Sequence, residues 1–466
     1  MAKIKKTTED ILSTLHIFTA LQKYVKKTKA RLHMPGHKGR HLPILQDSFL
    51  DCTELSYTDC LECPTDCILE AERDIANIFH AQKSFLLTDG ATCGIFVMIN
   101  VVKELGGKLV IARNSHKSVY NACSILGVEP IILDTIVQDG IIQQPTIENI
   151  QNLLYTNKDI TALLLTTPDY YGNLLDLQTI YKLCKAKNIL LFVDNAHGAF
   201  LHFDALYHNY YAGVYADVWV DSMHKTTPTL TQGALLHTNN LDITTHLLHG
   251  LDIFRTTSPS YLIMASVEYA AKYMQQFATD KINKVRQLLE WAKVELEKLQ
   301  LTTYANSRTL VLSIDFLKAG YSVDSVQEYL EEQGIFAELN DSRYLLFYCS
   351  SETEEQEILL LIRTIQHAMY TCSFKKTKEQ ITQEVEKLQT IQVYSFVQAC
   401  RQEIKYISLE SAIHKVVGRN VGRTPPCFPL LVAGEKITLE SMQQLKQAKH
   451  TFGMQNQLIP VLVKKS

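Results

Sequence analysis

Two stretches decide how this chain folds, ILLFVDNAHGAF (189–200) and DVWVDSMHK (217–225). Each opens with an apolar run about the length of a buried strand. The first run stops on Asp194; the second gives way to Ser222, His224 and Lys225. A carboxylate at the end of so apolar a run is costly unless a cationic partner meets it. A structural ion pair, a helix N-cap or the protonated ring nitrogen of a cofactor would each answer that demand. Lys225, where strand becomes loop, has the placement a Schiff-base lysine needs, since partial desolvation lowers its pKa.

Outward from this pair the same pattern repeats. Further short apolar runs are SFLLT (84–88), KLVIA (108–112), PIIL (130–133) and TALLLTT (161–167), most of them separated by helix-like segments. That alternation predicts an α/β fold with a mainly parallel sheet covered on both faces. Ligands of such sheets sit at the carboxyl ends of the strands, where most chemically interesting residues of this chain lie. Residues 8–28 have the apolar spacing of one leading amphipathic helix. After about residue 285 a long helix leads into TLVLSIDF, SVDSVQEYLEEQG, IFAEL and YLLFYC, a smaller α/β unit. The last hundred or so residues are expected to be helical (TKEQITQEVEKLQTI, then ISLESAIHKVV) before TPPCFPLLVAGEKI, read as irregular chain and short strands. The expected organisation is an N-terminal helix (1–30), a large domain (31–285), a small α/β domain (286–372) and a C-terminal domain (373–466).

Composition narrows the function classes. The 466 residues are 46% hydrophobic and 20% charged with a formal charge of -3, ordinary for a soluble globular chain and no reason to expect a nucleic acid as partner. No run of about 18 apolar residues appears, so no membrane span is expected. MAKIKKTTEDILSTL lacks the apolar core of a secretory signal, and the odd number of cysteines, 11, fits a reducing cytoplasm. Cys60, Cys63 and Cys67, with Cys52 nearby, resemble half of a zinc pattern. The second half is missing and no His follows at ligand spacing, so they read as free thiols and no metal is expected.

Other candidates sit at strand ends. TDGATCG (88–94) follows an apolar run and opens a helix, so its first-turn amides, with the Thr92 hydroxyl, suit a phosphate as well as an ordinary strand-to-helix turn. His197 is placed to reach a cofactor edge or to fill a polar pocket. Of three His-Lys pairs (His37-Lys38, His116-Lys117, His224-Lys225), only the last follows a buried-strand pattern downstream of Asp194. His116 follows KLVIA, where it would stack on a flat ring or simply face solvent.

The motifs LHMPGHKGR, TDGATCG, RNSHKSVYNA, TTPDYYGNLLDL, VDNAHGAF, DSMHKTTPTLTQGALLH and TTSPSYLIMAS occur in this order. Together they resemble the ornithine/lysine/arginine decarboxylases, fold type I enzymes of pyridoxal 5'-phosphate (PLP), closely over roughly residues 8–275. The resemblance implies a fold type I large domain with a mainly parallel sheet, a smaller α/β domain and a helical C-terminal region. It implies that Lys225 carries the PLP Schiff base and that Asp194 pairs with the pyridine nitrogen. His116 would stack over the ring, with Ala196 against the other face. Gly90, Ala91, Thr92, Ser222 and His224 would hold the phosphate, and Thr256 would reach a phosphate across a subunit interface. A homodimer or higher homo-oligomer with shared sites, cytoplasmic and acting on a basic L-amino acid, follows from the same likeness. So does a role in supplying polyamine precursors.

Two departures stand out. The chain looks like the short Gram-positive type, without the N-terminal domain of larger members. The family's acidic residue before a Tyr-Pro-Pro-Gly-Ile-Pro segment is missing here, where Gly418–Arg423 precedes Thr424-Pro425-Pro426-Cys427-Phe428-Pro429. With Arg423 nearby, binding of a distal substrate cation would need another acid; Glu338 is one candidate, although its residue type and position fit an ordinary surface carboxylate better. An aminotransferase on the same scaffold, or a PLP-binding regulatory homologue without turnover, are the alternatives. A nucleotide-binding α/β protein would need a Walker or GxGxxG fingerprint, and neither is present.

Overall fold

Runs of branched and aromatic residues bounded by polar turns form the strands. The seven main ones are β1 (Lys83–Leu87), β2 (Lys108–Ala112), β3 (Pro130–Leu133), β4 (Ile160–Thr166), β5 (Leu190–Asp194), β6 (Val218–Asp221) and β7 (Ala234–Thr238). The computed structural model describes residues 7–133, 135–304, 307–371, 373–377, 386–387, 391–424, 428–447 and 450–463. They divide into two compact units, Met1–Val101 with Leu191–Ile282, and Val102–Leu190 with Asn283–Ser466. Among the described residues no helix is long and apolar enough to cross a membrane.

In the first unit the strand order is β1-β7-β6-β5. β5 and β6 run parallel, with Asp194 opposite Val220, while β7 is antiparallel to both β6 and β1. The carboxyl ends of β1, β5 and β6 therefore share one edge, which gathers Thr88, Asp194 and Ser222. The strands are almost wholly apolar inside: Leu191, Phe192, Val193, Val218, Trp219, Val220, Leu235 and Leu236 are all buried. Burying such side chains stabilises by about 1.5–3 kcal/mol each. The helix Gly90–Leu105 follows β1 and lies close against β6, since a Cβ on Gly94 would stand 2.7 Å from Cγ2 of Val220.

β1 is an edge strand, and a helix covers its open side. Glu72, on the helix Cys67–Phe79, accepts the Leu86 amide at 2.9 Å. Burial pushes its carboxyl from 4.5 up to about 7, against the smaller opposing pull of the Leu86 amide and of Arg255. The expected N-terminal helix is two helices, Thr8–Leu12 and His16–Lys27. Ser13 and Thr14 turn their hydroxyls onto the carbonyls of Asp10 and Ile11, at 2.8 and 2.7 Å, and end the first. The second starts on a distant carboxylate: Glu268 accepts from His16 N at 2.6 Å and Ile17 N at 3.0 Å.

The second unit carries β4-β2-β3, all parallel. The expected small α/β elements are present as the antiparallel strands Val311–Asp315 and Tyr344–Tyr348 with the helices Val323–Glu332 and Glu355–Tyr370. A single helix, Tyr261–Lys298, runs through residue 285. The C-terminal stretch mixes strands with helices. Ile404–Ser408 pairs antiparallel with Leu458–Leu462, which leaves only Leu409–Ala412 of that segment helical. Phe428–Leu431 pairs with Val421–Arg423. Pro425, Pro426 and Cys427, and most of TKEQITQEVEKLQTI, lie outside the described residues.

One buried ion pair ties this C-terminal stretch to the end of β2. Arg113 makes two hydrogen bonds to Glu435, and both side chains are 2% exposed. Glu435 also accepts from Val432 N at 2.8 Å, and the Arg113 carbonyl accepts from Tyr120 Oη at 2.9 Å.

Both carboxylates generate stability predictions. The folded state binds the Glu72 proton more tightly than the unfolded chain does. Its contribution is therefore full below about pH 4.5 and is lost as pH rises through about 7. Glu72→Gln, which keeps an acceptor for Leu86, should raise stability at pH 8 by up to about 3 kcal/mol and have little effect at pH 4.5. Urea unfolding at the two pH values measures this, and an equal effect at both would refute it. Glu435→Ala leaves the Arg113 guanidinium buried without that carboxylate and should cost about 3–5 kcal/mol. A loss below about 1 kcal/mol in the same assay would show that the pair does not hold the unit together.

Candidate active site

The parallel pair β5/β6 builds the centre of the site. Asp194, 4% exposed, is the last residue of β5, and its Oδ1 accepts from Ala196 N at 3.2 Å. Burial raises the proton affinity of this carboxyl; the Lys225 charge and the Ala196 amide oppose it, and the Asp221 charge adds to it. Lys225 follows β6 on the four-residue helix Met223–Thr226, and its Nζ lies 3.1 Å from Nε2 of His197. His197 is half-buried and Lys225 exposed. A dry carboxylate and an accessible amine therefore stand at the ends of neighbouring strands.

The flanking residues follow from the same edge. Ser222 is buried at the turn out of β6, and its carbonyl accepts the Lys225 amide at 3.1 Å. The His224 ring donates from Nδ1 to the Gly233 carbonyl at 3.1 Å. Burial lowers its pKa, as does the neighbouring Lys225 charge, with the Gly233 bond opposing; this favours the neutral ring. Gly90 takes a left-handed φ of +72° at the start of its helix, and a Cβ there would meet nothing within 4 Å. Ala91 is buried and Thr92 exposed in the first turn, where helix amides lack intrahelical acceptors. The Thr256 amide donates to Asp89 Oδ2 at 3.2 Å, which sets this threonine beside the Gly90 turn of its own chain.

Thus Gly90, Ala91, Thr92, Asp194, Ala196, His197, Ser222, His224, Lys225 and Thr256 all belong to the first unit. His116 belongs to the second. There it caps the helix Lys117–Leu126, with its Nδ1 accepting from Ser118 N at 3.3 Å and standing 2.8 Å from Ser118 Oγ. Ring geometry therefore leaves Nε2 as the protonated nitrogen.

The residues present fit PLP. The Oγ1 atoms of Thr88 and Thr226 and the Oδ1 of Asn195 are buried with no hydrogen-bond partner among the described residues. They flank a lysine, an enclosed carboxylate and an open glycine turn, the donor set that an aldehyde, a pyridinium and a phosphate require. Among the described residues no group of His, Cys, Asp and Glu is arranged to hold a metal ion. Cys60 Sγ turns toward Glu54 at 3.5 Å and Cys67 Sγ toward the Thr58 carbonyl at 3.4 Å.

Sequence reasoning missed the supports. Asn195 and Tyr211 both donate to Asp221, and Asp221 stands beside His237. Asp221, like Asp194, ends an apolar run, and the same cost argument applied to it would have found it. Nothing in the sequence pairs Arg113 with Glu435. Glu338 is exposed and accepts from Tyr170 Oη at 2.7 Å. Arg423 acts electrostatically on Asp341 and Tyr171, themselves joined by a 2.7 Å hydrogen bond.

Comparison with known proteins places this geometry. The family model for the major domain of Orn/Lys/Arg decarboxylases matches residues 16–309. The uncharacterized protein YaaO of Bacillus subtilis (strain 168) is 30% identical over 459 residues, 92% of this chain and 93% of its own. The arginine decarboxylase of Halalkalibacterium halodurans is 26% identical over 461 residues, 92% of each chain. In fold, the chain is similar to the constitutive lysine decarboxylase of E. coli, with a TM-score of 0.79 at 19% identity over 98% of this chain and 83% of that one. A matched major domain, full-length relatives and a shared fold agree: this chain belongs to the Orn/Lys/Arg decarboxylase family.

Proposed function

We propose that the protein is a PLP-dependent decarboxylase of a basic L-amino acid, with arginine the favoured substrate and the product an amine that serves as a polyamine precursor. The observation that carries the proposal is the buried Asp194 beside Lys225 at the carboxyl ends of two adjacent parallel strands. Full-length relatives that bear the name arginine decarboxylase favour arginine. The proposed assembly is a homodimer or larger, with Thr256 reaching a partner's phosphate, in the cytoplasm.

Bound PLP supplies an electron sink for the pair left behind when CO2 departs. The protein's part is placement and charge. Asp194, fixed at Oδ1 by the Ala196 amide, would pair with the ring nitrogen and favour its protonated form. Lys225 would anchor the cofactor through Nζ, and its amine would be the group that carries a proton to the substrate. His197, 3.1 Å from Nζ, can exchange that proton with the lysine. Gly90, Ala91, Thr92 and Ser222 would hold the phosphate as donors, and His224, with its Nδ1–H on the Gly233 carbonyl, would join them on protonation of Nε2. His116, through its ring face, would cover the cofactor opposite Ala196. Glu338, exposed and fixed by Tyr170, is the candidate acid for the distal cation.

The test has two arms. Purified protein incubated with PLP should gain a visible absorbance that borohydride abolishes, and Lys225→Ala should lack it. Asp194→Ala should keep the absorbance and lose about 100-fold or more in kcat. Incubation with arginine, lysine and ornithine should yield agmatine, cadaverine or putrescine, arginine turning over fastest. A wild-type chain that takes up no PLP would overturn the proposal. Transamination products in place of amines would move the protein to the aminotransferase reading.

A further inference from the structure

Asp221 ends β6 in full burial, four residues before Lys225. Its Oδ1 accepts from Asn195 Nδ2, and its Oδ2 accepts from Tyr211 Oη at 2.9 Å. His237 Nε2 stands 3.4 Å from the same Oδ2. Each of these neighbours is held in turn. Tyr211 Oη accepts from Trp219 Nε1 at 2.8 Å, and His237 Nδ1 lies 2.7 Å from Ser84 Oγ. The His237 ring also stacks on Trp219, with centroids 4.9 Å apart and planes 15° from parallel. Asn195, the residue after Asp194, is tied a second time to β6, its amide donating to the Val220 carbonyl at 3.0 Å.

A buried carboxylate surrounded by this many donors is more than a packing solution. An asparagine or glutamine would suffice to bridge two loops, without the cost of burying a charge. What the charge adds is a field at Asp194, where a second negative group in a dry site makes the first a better proton acceptor. We infer that Asp221 is a positioning residue: through Asn195 it locks the Asp194 turn to the strand that delivers Lys225, and its negative charge strengthens the hold of Asp194 on a protonated ring nitrogen. The inference rests on the PLP reading above. It concerns a residue that would not touch the cofactor and that acts only through Asp194 and Asn195.

The deciding variant is Asp221→Asn, which removes the charge and can keep the connections. Asn195 Oδ1 has no partner among the described residues, so the Asn195 amide can turn over and accept from the new NH2 while Tyr211 still donates to the new carbonyl. The apoprotein of this variant should melt near the wild-type temperature. Its PLP dissociation constant should rise about tenfold and its kcat fall about 10- to 100-fold, with KM for the amino acid little changed. With ring-labelled cofactor, the pyridine 15N resonance should move toward its unprotonated position, a change that lost packing alone would not give. Asn195→Ala keeps the charge and cuts the tie; it should weaken PLP binding without moving the 15N resonance, and it decides the matter if Asp221→Asn does not fold. Wild-type PLP affinity, kcat and 15N shift in Asp221→Asn would overturn the inference and leave the PLP reading intact. Wild-type affinity in Asn195→Ala would overturn the locking role. Wild-type protein that binds no PLP would overturn both.

Discussion

A carboxylate kept dry at the end of a strand is the constraint on which the site depends. Asp194 could sit in water a few residues further along the loop, at no electrostatic cost. Instead β5 ends on it, and the described residues offer it the Ala196 amide and the charge of Lys225. Buried carboxylates remain ionised only where donors or cations replace the lost water. An acid with so little local compensation has capacity left for a strong donor from outside the chain.

Other buried acids in this protein show how unusual that is. Burial pushes the Asp59 carboxyl up, yet four amides, those of Cys60, Thr65, Asp66 and Ile68, hold it below the ordinary range. Asp169 accepts from Tyr171, Asn173 and the Asn173 side chain, and full burial still takes it up to about 6. Glu72, with the single Leu86 amide, reaches about 7. Asp59 and Glu72 do structural work, anchoring a loop and covering a sheet edge. Asp194 has Glu72's poverty of donors without an edge to cover, and it sits beside a lysine. That combination is what the proposed function draws on.

The strands and the residues at their ends were legible because both follow from local rules. Apolar runs of strand length predict β1 to β6 within a residue or two, and a charged residue closing such a run identifies Asp194 on cost alone. The partners of those residues follow no local rule. Arg113 meets Glu435 and Glu72 caps the edge strand only once the chain has folded, so no spacing in the sequence encodes either contact. The N-terminal stretch has helical periodicity throughout, yet two hydroxyls at Ser13 and Thr14 outcompete the backbone and break it. ISLESAIHKVV likewise has helix-compatible residues, but pairing with Leu458–Leu462 draws its first two residues into a strand. The first break is local competition for the backbone carbonyls, and the second is a tertiary partner overriding propensity.

The same reasoning clarifies the departure at Arg423. The resemblance leads one to expect an acidic residue before the Pro-rich segment, and finding a cation there suggests a pocket hostile to basic substrates. The field of a side chain depends on the charges around it, however. Asp341, half-buried, bonded to Tyr171 and accepting the amides of Arg343 and Tyr344, feels the Arg423 charge. Burial raises the Asp341 proton affinity; the Tyr171 hydroxyl, the two amides and then Arg423 bring it back down. Arg423 thus acts on an acid of its own unit. Loss of the family's acidic residue at this point is compatible with a basic substrate, provided that another carboxylate meets its distal group.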